Sequence, residues 1–275
     1  MLERNLTKSK RIKLSDGDIS FTSKKYLRIK ECPHTLEKKE EKQWRIKQKQ
    51  FKFFKDKCFI TDDTIMTCAV AIASMEYLMS KDYDVFESKV KQYMRELGKK
   101  YPEAGYGETF YEWIHDENMN SYNSYGNGAA MRTSSVAYVA TTLEECEKLA
   151  EIQSRVTHDH EDGIKGAKAI SSCIFLARQG KSKEEIRKYI EEKYYTLDFS
   201  IKDIRRKYKY DISANGSVPQ SIEAFLEGED FEDCIRNAIC LGGDADTLAA
   251  MTGAIAEAYF GIPYGIEAEI YKYLT

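Results

Sequence analysis

Two short acidic clusters, about 180 residues apart, each head a long apolar run. Thr61-Asp62-Asp63-Thr64 precedes Ile65-Met66-Thr67-Cys68-Ala69-Val70-Ala71-Ile72-Ala73, and Asp244-Ala245-Asp246-Thr247 precedes Leu248-Ala249-Ala250-Met251-Thr252-Gly253-Ala254-Ile255-Ala256. Runs that apolar do not fit a surface helix, so both are expected to be buried. Capping explains one acid at each start, because Ser, Thr and Asp accept hydrogen bonds from first-turn N–H groups and negative charge offsets the helix dipole. Doubled carboxylates flanked by hydroxyls are harder to explain, since converging acids repel unless a cation holds them. Four carboxylates with two or three hydroxyls make an all-oxygen donor set, suited to Mg²⁺ or Mn²⁺ and not to a thiolate metal. Spacing alone leaves capping and metal binding both open.

The chain of 275 residues has no Pro/Gly/Ser-rich linker dividing it, which points to one main domain. Apolar residues recur with helical spacing and strict alternation is scarce, so the expected class is all-α. Helices are expected at about 63–80, 84–99, 108–115, 143–154, 162–178, 183–193, 218–227, 230–240 and 246–259. No stretch reaches the roughly 18 to 20 apolar residues of a membrane span, and the N-terminus lacks an apolar signal core, so a cytoplasmic location without a membrane partner is expected. Seven cysteines, an odd number without a C-x-x-C pair, read as reduced core residues. Residues 1–57 carry 18 Lys/Arg against 8 Asp/Glu, a net of +10, which leaves −13 for the remainder. A solvated basic arm explains this better than a nucleic-acid partner, because the basic runs lack interleaved aromatics and any recognition motif.

Between the acidic clusters, Ser124-Tyr125-Gly126-Asn127-Gly128-Ala129-Ala130-Met131-Arg132 contains a Gly-Asn-Gly turn. Such a turn lets backbone N–H groups approach a ligand closely, or is simply a tight turn. Thr157-His158-Asp159-His160-Glu161-Asp162-Gly163 holds two of the four histidines. His-x-His suggests zinc, but no cysteine or third histidine stands at ligand spacing; a single histidine bonding a substrate or a metal-site carboxylate fits better. Ser217-Val218-Pro219-Gln220 is expected to start a helix with Pro in its first turn. Gly105-Tyr106-Gly107 and the stretch from Trp113 to Asn123 are candidates for a pocket rim.

Taken in order, T-D-D-T, Y-G-N-G-A-A-M-R, T-H-D-H-E-D-G-I-K-G-A, V-P-Q-S and G-G-D-A-D-T-L-A-A resemble the ADP-ribosylglycohydrolase family, of the dinitrogenase-reductase-activating glycohydrolase type. Five ordered motifs at sensible spacing are far more specific than any one alone. The resemblance runs from about Phe51 to the C-terminus. It implies an all-α domain around a cleft with two Mg²⁺ or Mn²⁺ ions, held by Thr61, Asp62 and Asp63 from one side and Asp244, Asp246 and Thr247 from the other. Asp62 and Asp246 would also serve catalysis. Tyr125, Gly126, Asn127, Gly128 and His158 would bind substrate, the backbone at 126–128 lying along the diphosphate and ribose. The implied reaction removes ADP-ribose from a modified protein or related conjugate by glycosidic cleavage at the distal ribose.

One element departs from the family pattern. The family begins with a helix resembling G-A-x-x-G-D-x-x-G-x-x-Y-E, whose Glu serves as acid/base, and no such helix is readable here. Residues 46–54 resemble the stretch just after that Glu, which places it at Glu41 to Gln43 and nominates Glu41. The chain is therefore divided into a basic arm, residues 1–45, and a domain, residues 46–275. The alternative to an enzyme is a non-catalytic member that binds ADP-ribose or serves a structural role.

Overall fold

The computed structural model describes residues 12–14, 17–19, 49, 51–55 and 58–273. Glu41 and the boundary between residues 45 and 46 lie outside them. A two-stranded hairpin pairs Ile12–Leu14 with Gly17–Ile19, and from residue 62 onward the protein is helical.

All nine expected helices are present. Helix α1 (Asp62–Ser80) is buried over most of its surface, as its apolar run requires. Helix α2 (Tyr83–Lys100) buries Phe86, Val90, Tyr93, Met94 and Leu97, one stripe at helical spacing, and lays it on α1. Helix α3 (Glu108–His115) comes next. Two four-residue helices, α4 (Gly128–Met131) and α5 (Val136–Val139), lead into α6 (Leu143–Arg155) and α7 (Glu161–Arg178). After α8 (Lys183–Lys193) and the short α9 (Ile201–Ile204), three helices pack mutually: α10 (Ala214–Glu227), α11 (Phe231–Leu241) and α12 (Ala245–Phe260). Helix α7 is central, touching α4, α6, α10 and α12. The chain ends in α13 (Tyr264–Ile270) and one 3₁₀ turn.

The short helices α4, α5, α9 and α13 were not expected, because four to seven residues complete too few turns to show a period. A second difference concerns Pro219, which lies inside α10 instead of opening it. The cap is Ser213, whose hydroxyl accepts from the Gly216 amide at 3.0 Å, so the helix starts one turn earlier than the proline suggested.

Segment 49–55 is tied to the far end of the sequence. Lys49 pairs with Asp233 at 2.9 Å, while Arg236 donates to the Lys49 and Phe51 carbonyls at 3.0 Å each. The same guanidinium packs on the Phe51 and Phe53 rings, 4.8 and 5.4 Å from their centroids. This anchoring fixes the route by which the chain reaches Thr61. No disulfide joins the described cysteines.

Candidate functional site

The acidic helix starts do not behave as caps. Thr61 occupies the N-cap position of α1 and Asp244 that of α12, and neither side chain accepts a hydrogen bond from its helix. Instead the Thr61 hydroxyl donates to Asp63 Oδ2 at 3.1 Å. Helices α1 and α12 pack against each other, and Asp63 on α1 lies within the influence of Thr247, Asp244 and Asp246 on α12, so the two clusters meet across the helix interface. Gly243, at φ 67°, turns the chain into this position; a Cβ there would fall 2.8 Å from the Lys209 carbonyl oxygen.

Burial pushes the Asp63 carboxyl well above the usual carboxylate range, and the neighbouring charges of Asp62, Asp246 and Asp244 add to the effect. Its Oδ1 is buried without a hydrogen-bond partner among the described residues. The four acids therefore share one electrostatic environment. Among the described residues, no three His, Cys, Asp or Glu side chains stand together as a group that could hold a metal ion.

A cleft of about 430 Å³ opens from this acidic end. Asp62, Asp244, Asp246 and Thr247 line it, whereas Thr61 and Asp63 lie behind the lining, buried. Gly126, Asn127, Gly128 and His158 form another part of the wall. Asn127 has its side chain turned toward the acids: Nδ2 donates to Asp244 Oδ2 at 2.7 Å and to Ser217 Oγ at 3.0 Å. Backbone bonds hold the turn, from Asn127 N to the Ile212 carbonyl and from Ala214 N to the Tyr125 carbonyl. Tyr125 is outside the lining, exposed and edge-on to His160.

The two histidines of His-x-His separate. His160 caps α7, its Nδ1 accepting from the Asp162 amide at 3.1 Å. His158 is buried at the cleft wall, where its Nδ1 is 2.7 Å from the Thr157 hydroxyl. Burial, reinforced by the charge of Arg132, holds its pKa well below the ordinary histidine value, so the ring is neutral. Gly128 has to be small here: a Cβ would sit 3.0 Å from His158 Nε2.

Several lining residues were not singled out in the sequence, among them Glu108, Tyr210 and Ile212. The Gly105-Tyr106-Gly107 and Tyr122 parts of the expected rim are in the wall, but Trp113 is a core residue, 1% exposed. Arg132 ends the Y-G-N-G-A-A-M-R motif, which gives it no role by itself; its burial is what the structure adds.

The sequence profile described as ADP-ribosylglycohydrolase matches residues 19–274. The chain belongs to the ADP-ribosylglycohydrolase family. Membership of this family indicates a hydrolase. ADP-ribosylhydrolase ARH3 of Homo sapiens is 26% identical over 264 residues, covering 74% of this chain and 71% of that protein. ADP-ribosylarginine hydrolase Tri1 of Pseudomonas putida is 27% identical over 154 residues, 50% of this chain and 39% of that one. A solved structure titled "ADP-ribosylglycohydrolase-related protein complex" superimposes with a TM-score of 0.54 at 22% identity, covering 78% of this chain and 79% of its own. That likeness concerns the fold, an all-α one.

Proposed function

We propose that the protein is a metal-dependent hydrolase that releases ADP-ribose from a modified protein or related conjugate, cleaving the glycosidic bond at the distal ribose. The observation that carries this reading is the union of the two acidic helix starts at one end of a cleft, with neither used for capping. The printed names of the relatives, ADP-ribosylhydrolase and ADP-ribosylarginine hydrolase, support the substrate class.

The donors fit hard divalent ions, Mg²⁺ or Mn²⁺. All are oxygens, and the buried, unpartnered Oδ1 of Asp63 is an acceptor for which the described residues supply no donor. Thr61, Asp62, Asp63, Asp244, Asp246 and Thr247 would hold two such ions. Bound there, the ions would supply a template for the ribose hydroxyls and a water of lowered pKa.

The protein's own groups divide the remaining work. Asn127 holds Asp244 in place through its amide. Backbone at Gly126 and Gly128, without side chains, lets a diphosphate and ribose lie close to the wall, and His158 closes that part of the site. Asp62 and Asp246 face the reacting ribose from the two helices. The general acid or base is assigned to Glu41 by register, outside the described residues; within them, Glu108 is the glutamate that lines the cleft. We place the protein in the cytoplasm, and no described helix is long and apolar enough to cross a membrane.

Two glutamine variants test the assignment. Glu41→Gln should lower the rate of ADP-ribose release by about 10² to 10⁴-fold while Mn²⁺ binding persists. If Glu108→Gln loses that much instead, the role moves to Glu108. Tight ADP-ribose binding with no release from any conjugate by the wild-type protein would show a binding protein and overturn the hydrolase reading.

A further inference from the structure

Arg132 is a cation buried to 1% exposure, and among the described residues no carboxylate pairs with it. Its partners are neutral: Nε donates to Gln153 Oε1 at 2.9 Å, and Nη2 donates to the Gln153 carbonyl at 3.0 Å and to Thr157 Oγ1 at 2.9 Å. Gln153 is itself held, its Nε2 donating to the Ala129 carbonyl at 3.0 Å. A buried charge without a counter-ion is costly, so a fold that keeps one on the wall of a cleft uses it.

Hydrogen-bond directions reveal the use. Thr157 Oγ1 accepts from Arg132. A threonine hydroxyl also has one proton to give, and His158 Nδ1 stands at acceptor distance from it, 2.7 Å away. With Nδ1 accepting, the neutral ring carries its proton on Nε2. Nε2 is the atom that faces the glycine turn, 3.0 Å from where a Cβ on Gly128 would be and 3.5 Å from one on Gly126. The backbone that carries the ring is held, because the His158 amide donates to the Ser154 carbonyl at 2.7 Å and Ser154 Oγ donates to the His158 carbonyl at 2.9 Å. The adjacent Asp159 is occupied elsewhere, accepting from Ser121 and from the Asn123 amide.

We propose that Arg132 and Thr157 are positioning residues that fix His158 as a neutral Nε2–H donor, aimed past Gly128 at an acceptor oxygen of a bound diphosphate-ribose. The relay gives the cleft two poles. Carboxylates from α1 and α12 occupy one end, and a buried guanidinium acting through Thr157 and His158 sets hydrogen-bond polarity at the other. The ligand half of this proposal rests on the function proposed above; the relay does not.

Nitrogen-labelled full-length protein, read by long-range proton–nitrogen correlation, reports the tautomer of each of its four histidines, with His158→Gln identifying the relevant ring. In the wild type, Nδ1 should be unprotonated and Nε2 protonated. Thr157→Val, which removes the hydroxyl at nearly constant shape, should abolish that preference and weaken ADP-ribose binding in a calorimeter by roughly threefold to tenfold, the worth of one hydrogen bond. Thr157→Ser should restore both. Unchanged ring signals in Thr157→Val overturn the relay, and altered signals with unchanged affinity overturn its link to the ligand. A wild type that shows the expected ring signals and binds no ADP-ribose upholds the relay and overturns the functional reading.

Discussion

At the start of α2, Asp82 turns back to accept the amides of Asp84 and Val85, and at the start of α8, Ser182 and Glu185 form a reciprocal capping box. At the starts of α1 and α12 the N-cap side chains accept nothing from their helix amides: Thr61 donates to Asp63, and Asp244 accepts from Asn127. The two arrangements leave their carboxylates in opposite electrostatic states. Burial pushes Glu145, in the first turn of α6, upward, but hydrogen bonds from the Thr141 hydroxyl and amide and from Tyr77, together with Lys81, outweigh it and bring the carboxyl down to about 2. Asp63 has burial and like charge as its main influences and is raised. One arrangement stabilises a carboxylate for the helix, and the other stores unbalanced negative charge beside a cleft.

The sharpest way to break this contrast is to remove acids of the second kind. Asp62→Ala and Asp246→Ala should each lose more than about 100-fold in Mn²⁺ affinity by calorimetry, beyond what a merely supporting residue costs. Equal Mn²⁺ binding in both variants and wild type would return the clusters to the status of caps.

Asp63→Asn tests the stored charge itself in chelator-treated protein. Because the folded pKa lies above the unfolded value near 3.8, Asp63 contributes most to stability below that pH, and the contribution is lost as pH rises through the folded value. At neutral pH the asparagine variant should therefore melt higher than wild type without metal, and the gap should shrink on acidification. A gap that stays constant with pH would show that Asp63 is not strained.

Glu145 should show the reverse sign. Its folded pKa is depressed, so its contribution is complete above about 4.5 and is lost as pH falls toward 2. Glu145→Gln should cost about 2 kcal/mol at neutral pH by urea unfolding and much less in strong acid. Smallest of all, Asp82→Ala and Ser182→Ala should each cost about 1 kcal/mol of stability and leave Mn²⁺ affinity unchanged. A change in metal binding in either would blur the distinction between the two kinds of helix start.

Legibility tracked the range of the interactions. Helices α2 and α6 were readable because one buried face imposes a helical period on neighbouring residues, and α1 and α12 because their apolar runs are long and nearly unbroken. The start of α10 was misplaced because Pro219 is a stronger written signal than Ser213, although the serine is the residue that caps. The two acidic clusters and the Gly-Asn-Gly turn stood out as motifs, while Glu108, Tyr210 and Ile212 did not, and Arg132 ends a motif that gives it no role. Nothing next to Arg132 in sequence shows that it will be buried without a counter-ion; Gln153 and Thr157, more than twenty positions on, decide that.

The amino-acid sequence by itself determined the all-α class, the main helices and the family to which the chain belongs. Those properties depend on periodicity and ordered motifs, which are local and additive along the chain. Only the tertiary structure decided that the acids of α1 and α12 face each other, that His158 and His160 part company, and that Arg132 reaches His158 through Thr157. Each of those depends on which helix packs beside which, and hydrogen-bond direction has no meaning until the partners stand within about 3 Å.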